Sequence, residues 1–221
     1  MQQPIDRSPR ISAALEDTLR RDAAIIDAGS RVFLESVYPP DLFVAAVLNR
    51  SLQFVHGFVD LVRAKNYLTA TPLFRLQLDN ALRLWAGTLV ESFDVFTKQV
   101  LQGEQINRMT DKTGKKLTDK YLVDSLSEYL GYPDLPAAYK YASGFIHLSG
   151  EHVFATHCAE DGCIRGRIVR ADETISETKW LDLIGGFTSA TDSVLNLVSV
   201  WATQKSEESK NAEPGMGADP Q

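Results

Sequence analysis

Phe74-Arg75-Leu76-Gln77-Leu78-Asp79-Asn80-Ala81-Leu82-Arg83-Leu84-Trp85 decides how the rest of the chain is read. Phe74, Leu78, Leu82 and Trp85, continued by Leu89, Phe93 and Phe96, recur every three or four residues. That is the period of a helix with one buried face, not of a strand. Thr71-Pro72 precedes the run. A capping hydroxyl followed by a proline in the first turn predicts the helix start there. The run therefore reads as the central helix of the core, from Thr71 to Phe96. Arg75, Asp79 and Arg83 stand at i, i+4 and i+8 along it, with Gln77 and Asn80 close by. Exposed, such a ladder contributes a few tenths of a kcal/mol per pair. Buried, it would be a costly cluster kept for a purpose. The expectation is a solvated ladder.

The same period extends outward in both directions. Upstream, Ser8-Pro9 is a second start signal, and Ile11, Leu15, Leu19, Ile25, Ile26, Val32 and Phe33 mark one long helix to about Val37, softened at Gly29. Tyr38-Pro39-Pro40 ends it. A second helix is predicted over 41–66 on the stripe Leu48, Leu52, Val55, Val59 and Val62. Downstream, Arg108 to Lys120 is a charged connection turning at Gly114, and a short helix over 119–130 closes at Gly131-Tyr132-Pro133. A last helix from about Ser176 carries Trp180, Ile184, Phe187, Thr191, Val194, Val198 and Trp201. Between them, the segments 153–158 and 163–170 flank Asp161-Gly162 and read as a small β-hairpin insertion. The fold class expected is thus all-α: an up-and-down bundle of five to six helices in a single domain over 1–205. A disordered tail is expected over 206–221, where Lys, Glu, Ser, Pro and Gly dominate.

The stretch most suggestive of chemistry is Tyr139-Lys140-Tyr141-Ala142-Ser143-Gly144-Phe145-Ile146-His147-Leu148-Ser149-Gly150-Glu151-His152. Asp134 can cap a helix here, with Pro136 in its first turn. On that helix Lys140, Ser143, Gly144, His147 and Glu151 would share one face, where a structural helix would carry Leu or Val. Either this is a satisfied polar network between helices, or it lines a binding or catalytic cleft.

Composition sets bounds. The chain has 221 residues, a net charge of -6, 44% hydrophobic and 24% charged residues. Those are globular proportions, and the negative charge argues against a surface wrapped in nucleic acid. No DNA-binding motif is present. No run of about 18 apolar residues is read, and the first ten residues lack a signal-peptide core, so no membrane span and a cytoplasmic location are expected. Cys158 and Cys163 do not make a CxxC motif. Free thiols are expected in a reducing compartment, a disulfide only if the two face each other across the hairpin.

Several chemistries can be tested by spacing. His147, Glu151 and His152 give H-x3-E-H, which sets the imidazoles about 140° apart on a helix. No metal and no cofactor are expected. Ser143 and His147 are i, i+4, but no strand–GxSxG–helix elbow surrounds them. Gly114-Lys115-Lys116 lacks the first glycine and the Ser/Thr of a phosphate loop. Lys140 and His147 together are the cation and the near-neutral acid–base that metal-independent RNA cleavage requires.

Late-helix Lys140-x6-His147 resembles the HEPN superfamily, whose active members use Arg-x(4–6)-His across a dimer interface. Arg75-x3-Asp79, the segment Lys112 to Asp119, and Tyr139-x3-Ser143-Gly144-x2-His147-x-Ser149-x2-His152 are similar to a group of bacterial helical proteins with no assigned activity. The likeness covers roughly residues 70–155. It implies a helical fold, a homodimer, a setting in bacterial stress or phage defence, and His147 with Lys140 as catalytic residues if the chain cleaves RNA. Lys140 stands where the superfamily has Arg and lacks its bidentate fork.

The reading that leads is a non-catalytic binding or interaction module with a polar cleft around Arg75, Lys140 and His147. Arg75, Asp79, Tyr139, Ser143, Glu151 and His152 would contact a small-molecule or RNA ligand. A HEPN-like ribonuclease and a purely structural oligomerisation domain are the alternatives.

Overall fold

A computed structural model describes residues 8–33, 37–150, 152–153, 157–160, 163–166 and 168–212. The chain is helical: α1 Pro9–Leu19, α2 Arg21–Val32, α3 Pro39–Arg63, α4 Tyr67–Leu89, α5 Phe93–Leu101, α6 Asp119–Leu130, α7 Leu135–Ser143 and α8 Glu177–Ala212. One 3₁₀ turn spans Ile106–Arg108. Two four-residue strands, β1 His157–Glu160 and β2 Cys163–Gly166, pair antiparallel. Residues 161–162 between them and 154–156 before them lie outside the described residues, as do the expected tail positions 213–221.

The central helix is where the sequence put it, with different ends. It starts at Tyr67, and Asn66 caps it: its Oδ1 accepts Thr69 N–H at 3.1 Å. Asp172, far along the chain, accepts Tyr67 N–H at 2.9 Å through Oδ2. Two orphan amides of the first turn are thereby satisfied. Thr71 is no cap; its hydroxyl donates to the Tyr67 carbonyl at 2.9 Å, and Pro72 is carried inside the helix. At the other end the helix breaks at Val90, and Ser92 caps α5 by accepting Val95 N–H. Phe93 folds back onto Gly87, where a Cβ would overlap the ring. Phe93 and Phe96 belong to this returning helix rather than to the α4 stripe, and they meet Phe43 edge-on with centroids 5.9 Å apart.

The predicted first helix is likewise two. It breaks at Arg20, not at Gly29, and Arg21 then ties the junction to α8 through Asp192 at 3.0 Å. These two breaks raise the number of helices above the five to six expected. In α3 the prolines open the helix instead of preceding it. Asp41 Oδ2 accepts Tyr38 N–H at 2.8 Å, and a proline in a first turn gives up no intrahelical bond.

α4 packs on α8, α3, α6 and α7. Phe58 of α3 stacks on Phe187 of α8 at 4.0 Å. Within this apolar core runs a polar chain. Gln77 Nε2 donates to Thr191 Oγ1 (3.1 Å), and Asn80 Nδ2 donates to Gln77 Oε1 and Ser51 Oγ (both 3.0 Å). It fixes α3, α4 and α8 in register, because a slipped helix would strand these buried groups. By length and composition α3 could cross a membrane. Here its stripe Val44, Val47, Leu48, Val55, Phe58, Val59 and Val62 is core.

α8 does not stop at Gln204. Lys205 is buried, and its Nζ donates to Asp41 Oδ2 (2.8 Å) and the Val32 carbonyl (2.9 Å). Trp201 Nε1 donates to the other Asp41 oxygen at 3.2 Å. One lysine thus ties the end of α2 and the start of α3 to α8, and the helix continues to Ala212 through a composition that by itself reads as tail. The strand register sets Cys158 opposite Arg165 and Cys163 opposite Glu160, so the cysteines are not cross-strand partners.

Candidate functional site

The Arg75 ladder is not solvated as expected. The side chains of Arg75, Asp79 and Arg83 are only 10%, 19% and 25% exposed. α6 and α7 close over this face of α4 and bring their own partners. Arg75 Nε donates to Ser143 Oγ at 2.8 Å, and Nη2 donates to the Tyr139 hydroxyl. The guanidinium also lies over the Tyr139 ring, 3.7 Å from its centroid. Arg75 Nη1 is 2.6 Å from Asp79 Oδ1, a close ion pair without hydrogen-bond alignment. Asp119, the first residue of α6, accepts Arg83 Nη2 at 2.9 Å and the Tyr139 hydroxyl at 3.0 Å. Ser143 donates in turn to the Tyr139 carbonyl at 2.7 Å.

Two guanidinium cations thus face two carboxylates. Burial alone would raise the Asp119 carboxyl, but Arg83, Tyr139 and Arg75 outweigh it and hold it below its ordinary value. Burial pushes the Tyr139 phenol well up, assisted by Asp119 and Asp79 and opposed by Arg75. Tyr139 therefore stays a neutral donor, and the cluster is a mutually neutralised staple joining α4, α6 and α7. Arg50 of α3 stands beside it, donating to Asn80 Oδ1 at 2.9 Å. Its pKa is lowered by burial first; Asp79 opposes that and Arg83 adds to it. Asp119, Arg83 and Arg50 were not among the expected site residues. In the sequence Asp119 is only the start of the short helix over 119–130, and nothing local says which distant arginine it meets.

The expected polar helical face beyond Ser143 does not form. α7 ends at Ser143, and amides of Gly144, Phe145 and Ile146 bond three residues back. Phe145 is buried against Tyr67 and Tyr141, and Ser149 Oγ caps the Gly144 carbonyl at 2.6 Å. Burying Phe145 turns the chain out of the helix at Gly144, so the spacing from Lys140 to His147 is no longer a helical one. Lys140 and His147 are both exposed. Among the described residues neither is joined by hydrogen bond or ion pair to Arg75, Asp79 or Asp119. His152 packs beside the Phe145 ring with centroids 5.4 Å apart. Glu151 lies outside the described residues. Asp134 sits at the start of α7, but its side chain makes no capping bond.

The lysine loop explains itself. Gly114 turns at φ +85°, and the amides of Thr113 and Lys115 point at the Asp111 carboxylate at 2.8 and 2.9 Å. Tyr121 adds its hydroxyl at 2.7 Å. The chain's own carboxylate occupies the position a phosphate would need. Burial works against that charge, yet the bonds from Tyr121, Thr113 and Lys115 hold the carboxyl far below the usual range. Among the described residues no three His, Cys, Asp or Glu side chains group as metal ligands would.

Two of the clefts between the helices bear on the site. The larger, about 540 Å³, lies between α2 and α8, with Asp27 and Arg31 among its lining residues. The smaller, about 300 Å³, lies between α4, the turn into α7, and α8. Neither is lined by Arg75, Lys140 or His147. No family model, curated protein or solved structure significantly matches the chain.

Proposed function

We propose that the chain is a non-catalytic interaction module of the cytoplasm. In this reading it is an up-and-down helical bundle with a short β-hairpin insertion, and it self-associates through the segment that leaves α7. The observation that carries this is the apolar surface there. Leu148 is 88% exposed, and Ile146, Tyr141 and Val153 are exposed beside it in the sequence. Large apolar side chains gathered on a short exposed segment mark contact surfaces. The Arg75 staple supports the reading in a different way from a ligand site. Its guanidinium is committed to Ser143, Tyr139 and Asp79, so its role is to hold α7, and with it the segment that follows, in a fixed place.

Sedimentation velocity tests this. The wild-type chain is expected to form dimers in the micromolar range, and Leu148→Asp with Ile146→Asp to leave monomers of unchanged melting temperature. A wild type that stays monomeric at the highest soluble concentration overturns it. The HEPN-like ribonuclease reading keeps one observation in its favour: Lys140 and His147 are both open to solvent and could be completed by a second copy. Intact mixed RNA after prolonged incubation with the dimer ends that reading.

A further inference from the structure

We infer that the cleft between α4, α7 and α8 is a binding site for a small organic cation, an ammonium carried on an aromatic or aliphatic body. The cleft is separate from the surface that leaves α7, and the inference does not rest on self-association. Its walls are apolar and aromatic: Phe74 and Leu78 from α4, Tyr132 and Leu135 from the turn into α7, and Ala190 from α8. Its volume, about 300 Å³, is at the lower end for small-molecule sites. Gly186 lets the Phe74 ring pack close against α8: a Cβ there would come within 3.0 Å of the ring.

Asp134 is the one charged residue lining it. An aspartate at a helix start normally gives its carboxylate to the first-turn amides. This one does not; Asp134 is exposed to solvent, and among the described residues no hydrogen bond or ion pair engages its carboxylate. The turn that carries it is nevertheless built rigidly. Tyr132 N–H donates to the Ser127 carbonyl (3.0 Å), Ser127 Oγ donates to the Tyr132 carbonyl (2.7 Å), and Leu135 N–H donates to the same carbonyl (3.1 Å). An unpaired carboxylate lining a cleft that also has aromatic walls favours a cation over a neutral or anionic guest. The α2–α8 cleft is larger but lacks this asymmetry, because Asp27 and Arg31 pair with each other.

Phenethylamine and its neutral counterpart 2-phenylethanol are the probes, titrated into the full chain and followed by heteronuclear NMR. Phenethylamine is expected to saturate, with shifts confined to residues around Asp134, Ala138 and Ser189, and to bind more tightly than the alcohol. Asp134→Asn is expected to weaken the amine about tenfold and leave the alcohol unchanged. Its melting temperature should equal the wild type's, because the carboxylate holds nothing in the fold. No saturable amine binding, equal affinity for the two probes, or an Asp134→Asn variant that binds the amine as before each overturns the inference.

Discussion

The two halves of the stretch from Asp134 to Val153 differ sharply. The first half is helix α7, and Tyr139 and Ser143 on it are locked to Arg75 and Asp119. The second half leaves the helix at Gly144, buries Phe145, and turns Ile146, His147 and Leu148 outward. Tyr139 and Ser143 face inward while Ile146 and Leu148 face outward, the reverse of the usual allocation for those residue types. The inward polar groups hold because they neutralise one another. Ile146 and Leu148 are exposed, which is why we read them as part of a contact surface. A polar cluster in sequence therefore marks the scaffold here, and the adjoining apolar residues mark the candidate interface.

The contrast can be broken most forcefully at its inner half. Arg75→Met leaves Asp79 and Asp119 facing Arg83 alone in a largely buried site. A loss of about 3–5 kcal/mol is expected, roughly 10 °C in Tm for a chain of this size, by calorimetry. A smaller effect should come with acid. Asp119 has its carboxyl held below its ordinary 3.8 in the fold. Its contribution is present above that value and is lost as pH falls through the lower folded value. Melting temperatures followed from neutral pH into strong acid should therefore fall less steeply for Asp119→Asn than for the wild type. A parallel pair of curves would show that the staple carries no net charge coupling.

In the outer half, Leu148→Asp should change stability by no more than about 0.5 kcal/mol while abolishing self-association in sedimentation. A large drop in Tm would instead make the segment part of the core. The smallest effect is expected from His147→Ala: no shift in Tm, since the imidazole is exposed and holds no described partner. Any loss of RNA cleavage in that variant would revive the nuclease reading.

Periodicity alone placed the central helix and the last one, because a 3.6-residue stripe long enough to cover a core has one physical reading. The stop signal Gly131-Tyr132-Pro133 also placed α6, which the structure caps with Thr118 and ends at a left-handed Gly131. The local reading failed at Thr71-Pro72, where an asparagine five residues earlier and Asp172 from across the chain supplied better caps. Arg75, Asp79, Tyr139 and Ser143 were all named as candidate site residues, together with Glu151 and His152, although the ladder of Arg75 and Asp79 was expected to be solvated. That their partner is Asp119, and that Lys140 and His147 stand apart, was not recognisable. Charge pairing across 36 residues, as between Arg83 and Asp119, leaves no local trace.

What the sequence determined by itself is the helical class and the apolar stripes, since period and caps are local properties. Only the tertiary structure decided which polar groups are sealed, where α7 stops, and that Asp134 makes no capping bond at its start. Those outcomes depend on which helices cover which faces, and burial converts the same ladder from a solvated ornament into a staple.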